Sequence, residues 1–263
     1  MEDLFGGTAM AEGYASARPA VHALILAEVW KALEWNRRPG WALDVGCGAG
    51  LSTRALRPWS ERCVGLEPAQ EMLRVARREA AEARLVGGSA ECLPLRAESV
   101  SLISAAGSLN FCNVERAFEE MRRVLAGGGA LVVYDFSPGR RMRVSERLER
   151  WFEEFQLRYP RPAQGGVHLD PARLAELASG FERGQHSEFE GSLKLEADFY
   201  ARYMMTETNV AHAVRQGVGL GGIREWVETT LRPVFEGRPQ EVVFEGYWAV
   251  FYKPSSERIR LAL

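Results

Sequence analysis

The strongest constraint on how this chain can fold is an alternation. Between Trp41 and Phe136, short apolar runs take turns with segments of helical periodicity. "WALDV" leads to "LSTRALRPW", "RCVGLE" to "AQEMLRVARREAAEA", then come "ARLVG" and "SVSLISAA", and "VERAFEEMRRVL" leads to "GALVVYDF". Nearly continuous apolar runs suit strands covered on both faces, and helices between strands suit crossovers of a parallel sheet. An α/β fold is therefore expected, a doubly wound, mostly parallel sheet with helices on both faces. "AGGG" is expected to turn the chain just before the last of these strands.

A helix from Ala17 to Trp35, with Val21, Leu24, Ile25, Val29, Trp30 and Leu33 at helical spacing, precedes the first strand and ends at "NRRPG". Beyond Phe136 the pattern changes. "SERLERWFEEFQLRY", "PARLAELA", "EADFYARYMMTETNVAHAVRQ" and "IREWVETTLRPVF" read as helices, and "FERGQHSEFEGSL" as an irregular strand. "QEVVFEGYWAVFYK" reads as a closing strand or hairpin at the sheet edge. "YPRPAQGG" and "RQGVGLGG" lie between helices as surface loops, with a hinge as the alternative.

A length of 263 residues is enough for a large core, and a net charge of −2 offers no general attraction to polyanions, so nucleic acid is not an expected partner. Cys47, Cys63, Cys92 and Cys112 are widely spaced and form neither a C-x-x-C pair nor a disulfide framework. With no basic leader and no apolar run near ~20 residues, the chain reads as cytosolic and without a membrane partner. No metal site is expected.

The first strand runs into "ALDVGCGAG", where Gly46, Gly48 and Gly50 follow Asp44. In an open parallel sheet, ligands bind beyond the carboxyl ends of the strands, and glycines there let a ligand approach bare backbone. The spacing is G-x-G-x-G, not the dinucleotide G-x-G-x-x-G, and no Lys follows to make a phosphate loop. A ligand without a diphosphate fits this turn better. Glu67 ends the second strand, about twenty residues on, where a carboxylate can accept hydrogen bonds from a ribose; that feature is shared by nicotinamide and adenosyl cofactors.

"LDVGCGAG", "VGLEPAQEML", "GGSAECLPLRAESVSLI" and "MRRVLAGGGALVVYDF" resemble, in order and spacing, the class I S-adenosylmethionine-dependent methyltransferases. The likeness is to their small-molecule branch, which includes ubiquinone-biosynthesis and trans-aconitate types. It covers about residues 5 to 136. It implies a seven-stranded sheet and a helical lid after strand 5. Residues 1–139 would form the cofactor-binding core with its N-terminal helices, 140–238 a helical cap with strand 6, and 239–263 a C-terminal edge strand.

The resemblance further implies S-adenosylmethionine as cofactor, with S-adenosylhomocysteine as product. Gly46, Cys47 and Gly48 would pack along the methionine moiety and Asp44 would orient its amino group. Glu67 would grip the ribose, Pro68 and Met72 would lie beside the adenine, and Ser89, Ala90 and Glu91 would meet its edge. Ala105 and Ala106 would bring carbonyl groups toward the sulfonium, and Tyr14 and Arg18, from "FGGTAMAEGYASARPA", would fold over the cofactor. Ser89 stands where relatives carry Asp, Ser101 where they carry an acid, and Gly replaces their Pro before the fifth strand.

Methyl transfer is an in-line displacement that positioning alone can promote, and no residue is assigned as a general base. "SLNF" puts Asn110 and Phe111 where relatives often have His-Trp. Asn113 is expected to cap the following helix. His22 ranks first among His22, His168, His186 and His212, and Thr206 and Thr208 in "MMTETN" are candidate acceptor contacts. Arg140, Arg141 and Arg143 in "GRRMR" are expected to pair with Glu146 and Glu149, with binding of an anionic acceptor as the alternative. The acceptor is expected to be a small molecule. The rivals are a non-catalytic adenosyl-binding or interaction module and, with less support, a nucleic-acid or protein methyltransferase.

Overall fold

A computed structural model describes residues 8–162 and 169–255. The elements are α1 (Thr8–Ala17), α2 (Val21–Leu33), β1 (Trp41–Val45), α3 (Leu51–Leu56), β2 (Arg62–Glu67), α4 (Gln70–Glu79), β3 (Arg84–Gly87), β4 (Val100–Ala106), α5 (Val114–Val124) and β5 (Leu125–Phe136). They continue with β6 (Arg141–Met142), α6 (Arg147–Arg158), α7 (Pro171–Leu177), β7 (Glu182–Leu195), α8 (Ala197–Met204), α9 (Thr208–Arg215), α10 (Leu220–Phe235) and β8 (Gln240–Tyr252). Short 3₁₀ turns at Arg57–Trp59 and Leu109–Phe111 follow α3 and β4.

The sheet runs β3-β2-β1-β4-β5-β8-β6, with β7 pairing β8 off this path. The β3, β2, β1, β4 and β5 pairings are all parallel, and β8 joins β5 antiparallel, from Ala130↔Tyr252 to Phe136↔Gly246. The expected mostly parallel, doubly wound sheet is present, but with eight strands rather than seven. The extra strand β6 is two residues long, too short for any alternation to betray it. Nor is β8 an edge strand, because β6 and β7 also pair with it. "AGGG" does not turn the chain: β5 already starts at Leu125 and passes through the glycines, and the irregularity appears as a register shift between Val100↔Leu125 and Leu102↔Ala130.

Two compact units share the described residues. One draws on residues 8–21, 137–162 and 190–245, the other on 22–136, 169–189 and 246–255. In the second, alternate residues Leu43 and Val45, Val64 and Leu66, Ile103 and Ala105, Leu131 and Val133, and Ala249 and Phe251 build one buried layer. Their period of two is that of one sheet face. Against this layer lies α5, whose buried residues Val114, Ala117, Phe118, Met121 and Val124 recur at helical spacing. As expected, Asn113 caps α5, its side chain accepting a hydrogen bond from Arg116 N–H at 3.0 Å.

The first unit is aromatic. Trp151 on α6 stacks on Phe155 and on Trp226 of α10, with centroids 5.3 and 5.7 Å apart, and donates from its indole N–H to Thr230 at 2.7 Å. The helix expected over "EADFYARYMMTETNVAHAVRQ" is split into α8 and α9 by Met205–Glu207. The helix expected from Ala17 to Trp35 is α2, which begins after Pro19, and α1, over Thr8–Ala17, precedes it as a separate helix. In "RQGVGLGG" only 216–219 lie outside helix, whereas half of "YPRPAQGG", 163–166, falls outside the described residues.

Close approach of β8 to β5 depends on Gly246. A Cβ there would sit 2.1 Å from the Asp135 carbonyl oxygen and 2.8 Å from Phe136 Cα, both backbone atoms. Gly246→Ala is expected to cost about 3 kcal/mol, the upper end for overpacking. Urea unfolding would show this as a lowered midpoint, and a change within about 0.5 kcal/mol, the range for neutral surface substitutions, would contradict it.

Candidate active site at the carboxyl ends of β1, β2 and β4

Asp44, next to last in β1, is fully buried. One carboxylate oxygen accepts hydrogen bonds from the Ser52 and Thr53 hydroxyls, each at 2.6 Å, while the other, Oδ1, is buried and has no partner. Burial pushes its pKa up to about 6, despite the two hydroxyls that favour the charged form. A buried carboxylate oxygen with a spare lone pair is a place for a donor.

The three glycines of the turn have positive φ, but their neighbours differ. A Cβ on Gly46 would lie 2.3 Å from Ser108 Cβ, so this glycine admits the segment after β4, whose Ser108 hydroxyl donates to the Val45 carbonyl at 2.6 Å. On Gly50 it would meet Ala76 of α4 at 3.1 Å. Gly48 alone opens onto free space. The expectation that all three face a ligand is thus narrowed: Gly46 and Gly50 permit packing within the protein.

Glu67, at the end of β2 and 9% exposed, reaches back to this turn. Its Oε2 accepts from Gly48 N–H and its Oε1 from Ala69 N–H, both at 2.9 Å. Burial raises its pKa, with the Ala69 and Gly48 N–H groups pulling the other way. The carboxylate is held by two backbone donors, yet each oxygen keeps a lone pair for a further donor. Leu66 carbonyl accepts from both Gly46 N–H and Cys47 N–H, at 2.8 and 2.9 Å, which ties the turn to β2 a second time.

Other expected site residues have clear places. The buried Cys47 side chain lies beside Gly65, and burial raises the pKa of its thiol, so it is a packed thiol rather than a nucleophile. Met72 is buried on α4 and Pro68 is exposed just after β2. Ala105 and Ala106 end β4. Ser89 pairs with Cys92 across a tight turn, and Ala90 packs against the main core. Glu91 accepts from Asn113 N–H at 2.9 Å, so one of its oxygens serves the start of α5.

Tyr14 and Arg18 belong to the other unit. There Arg18 lies 4.2 Å over the Tyr14 ring, pairs with Glu207 at 3.1 Å and donates to the Thr206 carbonyl at 3.2 Å. Thr206 donates its hydroxyl to the Tyr203 carbonyl. Among the "GRRMR" arginines, Arg141 pairs with Glu190 and Glu245 and Arg143 with Glu241. These carboxylates come from β7 and β8, not from Glu146 and Glu149 of the following helix, because Arg141 sits in a strand that β8 pairs with.

Further polar groups gather at the ends of β4 and β5. Asn110 donates to Asp135 Oδ2 at 2.9 Å, while Asp135 Oδ1 accepts from Phe136 N–H and lies close to Gly107. His22 Nδ1 is 3.0 Å from the Tyr134 hydroxyl, with its ring edge-on to Phe136. Asp135 is absent from the expected residues, since "VVYDF" carries no signal beyond a strand end. His186 and His212 lie on β7 and α9, and His168 is outside the described residues. No group of three His, Cys, Asp or Glu residues suited to a metal occurs among the described residues, nor any helix long and apolar enough to cross a membrane.

Comparison with known sequences and structures bears on this site. A family profile described as "Methyltransferase domain" matches residues 43–133, from β1 through most of β5. A probable S-adenosylmethionine-dependent methyltransferase of Saccharomyces cerevisiae, CRG1, is 28% identical over 128 residues, 46% of this chain and 43% of that protein. Demethylmenaquinone methyltransferase of Thermus thermophilus is 36% identical over 123 residues, 40% of this chain and 56% of that one. The match thus spans about half the length of these curated relatives. Among solved structures, a chain from Anaeromyxobacter dehalogenans, assigned by name to the type II methyltransferases, superposes with a TM-score of 0.66 at 23% identity, over 90% of this chain and 97% of its own. The [4+2]-cyclase SpnF superposes with a TM-score of 0.54 at 20% identity, over 90% and 82%.

The raised pKa of Asp44 has a stability consequence. Its ordinary value is 3.8 and its folded value about 6, so the folded state binds the proton more tightly. Its contribution is most favourable below pH ~4 and is lost as pH rises through about 6, at a total cost of about 3 kcal/mol. Asp44→Asn should therefore show a flatter pH dependence of Tm between pH 4 and 7 than the parent protein. Identical slopes would show that Asp44 is not the titrating group.

Proposed function

We propose that this chain, whose residues 43–133 match the methyltransferase-domain profile, is a class I S-adenosylmethionine-dependent methyltransferase that transfers a methyl group from this cofactor to a small-molecule acceptor. The observation that carries the reading is Glu67, whose buried carboxylate is anchored at Gly48 N–H and Ala69 N–H. A carboxylate oriented in this way can accept from the two hydroxyls of a ribose. Two more observations fit an adenosyl cofactor. Gly48 leaves open space where any side chain would intrude, and Asp44 Oδ1 is buried with capacity to accept from an ammonium.

In this reading Asp44 and the backbone of Gly46, Cys47 and Gly48 hold the methionine end of the cofactor, and Glu67 its ribose. Pro68, Met72, Ser89, Ala90 and Glu91 border the adenine, and Ala105 and Ala106 the sulfonium. When bound, the cofactor supplies an electrophilic methyl group whose sulfur is already a good leaving group. The protein's part is then to exclude water and align the acceptor, and positioning of this kind can lower a barrier by roughly 7–11 kcal/mol.

Asn110, held by Asp135, orients an acceptor and cannot accept its proton. His22, beside the Tyr134 hydroxyl, is the residue placed to act as a base for an acceptor that must lose a proton. The net charge of −2 supports a small acceptor over a nucleic acid.

Calorimetric titration with S-adenosylhomocysteine tests the donor assignment. Glu67→Ala should weaken binding by about 1.5–3 kcal/mol for each charged hydrogen bond lost. Glu67→Gln, which preserves volume, should lie between the two. An unchanged dissociation constant in Glu67→Ala would remove the ribose assignment, and thermal stabilisation by NAD but not by S-adenosylhomocysteine would remove the donor.

A further inference from the structure

Unlike Arg141 and Arg143, Arg140 makes no ion pair with a described residue. Its guanidinium lies 5.0 Å over the Phe152 ring, and its Nε is buried with no hydrogen-bond partner. The carboxylates that act on it are committed elsewhere, Glu207 to Arg18 at 3.1 Å and Glu245 to Arg141 at 2.7 Å. Arg161 is near enough to repel it: burial first and Arg161 second lower the Arg140 pKa.

A half-buried guanidinium with its Nε out of reach of water, a second cation for a neighbour and no anion of its own is costly, and proteins ordinarily pair such charges. The Phe152 ring lies against the guanidinium, whose N–H fork is itself planar. A planar fork suits a carboxylate or a phosphate, which it can grip with two parallel hydrogen bonds.

We propose that Arg140, supported by Arg161, is the recognition site for the oxyanion, carboxylate or phosphate, of a small-molecule ligand. Arg143, paired with Glu241 at the surface, takes no part.

The test uses the full chain, with malonate and inorganic phosphate as probes and ionic strength held constant with NaCl. Thermal unfolding and calorimetry should show saturable stabilisation by at least one probe, and the stronger of the two identifies carboxylate or phosphate as the recognised group. Arg140→Gln should weaken that binding about tenfold or more, as expected for charged hydrogen bonds. Arg140→Lys, which keeps the charge and loses the fork, should fall between, and Arg143→Gln should match the parent. Affinity for S-adenosylhomocysteine should stay within about twofold in all three variants, less than the loss of one neutral hydrogen bond.

No saturable response to either probe, an unchanged response in Arg140→Gln, or an equal loss in Arg143→Gln would overturn the proposal. Anion binding that depends on Arg140 in a protein that does not bind S-adenosylhomocysteine would sustain the anion site and remove the methyltransferase reading. The reverse result would remove the anion site alone.

Discussion

The Glu67 carboxylate joins two stretches of backbone that the rest of the site depends on. One oxygen holds the glycine turn after β1 and the other holds the entry to α4. Both N–H groups lie where a chain leaving a parallel strand has no ladder partner, and an unpaired N–H in a partly buried turn costs as much as a lost hydrogen bond. Glu67 satisfies both. Burial opposes its charge, and the two N–H groups offset part of that opposition. The acid that would bind a ribose is therefore also the acid that shapes the turn, and disturbing it disturbs both.

Around that link, the turn divides its work among residues that look alike. Gly46 makes room for Ser108 and Gly50 for Ala76, so the sheet and α4 can close on the turn from two sides. Only then does the backbone of Gly48 stand in open space. Asp44 beneath it keeps one oxygen in hydrogen bonds to α3 and one without a partner. The turn is rigid because of its packing, and rigidity is what lets one bare position serve a ligand.

The other unit has the opposite electrostatics. Glu67 and Asp44 are buried acids with hydrogen-bond donors gathered around them, whereas Arg18 and Arg140 are cations that share the influence of one buried acid, Glu207. Arg18 holds Glu207 by direct contact, leaving Arg140 with an aromatic face and a neighbouring cation. An anion bound there, as proposed, would relieve that imbalance.

The periodicity of apolar residues was enough to read β1 through β5, with the helices between them, because a buried parallel strand and an amphipathic helix are both local patterns. The glycine turn and Glu67 were legible for the same reason: their separation along the chain is set by one βαβ unit. What the sequence could not decide was every feature that depends on a non-local neighbour. The two-residue β6 exists only because β8 lies beside it, and that partner also takes β8 off the sheet edge. Three glycines of equal appearance differ only in what a Cβ would meet, and three arginines of one cluster differ only in which carboxylates the strands bring to them. Spacing along the chain therefore determined the fold and the donor side of the site, while tertiary packing decided which backbone is bare and which charge is left without a counterion.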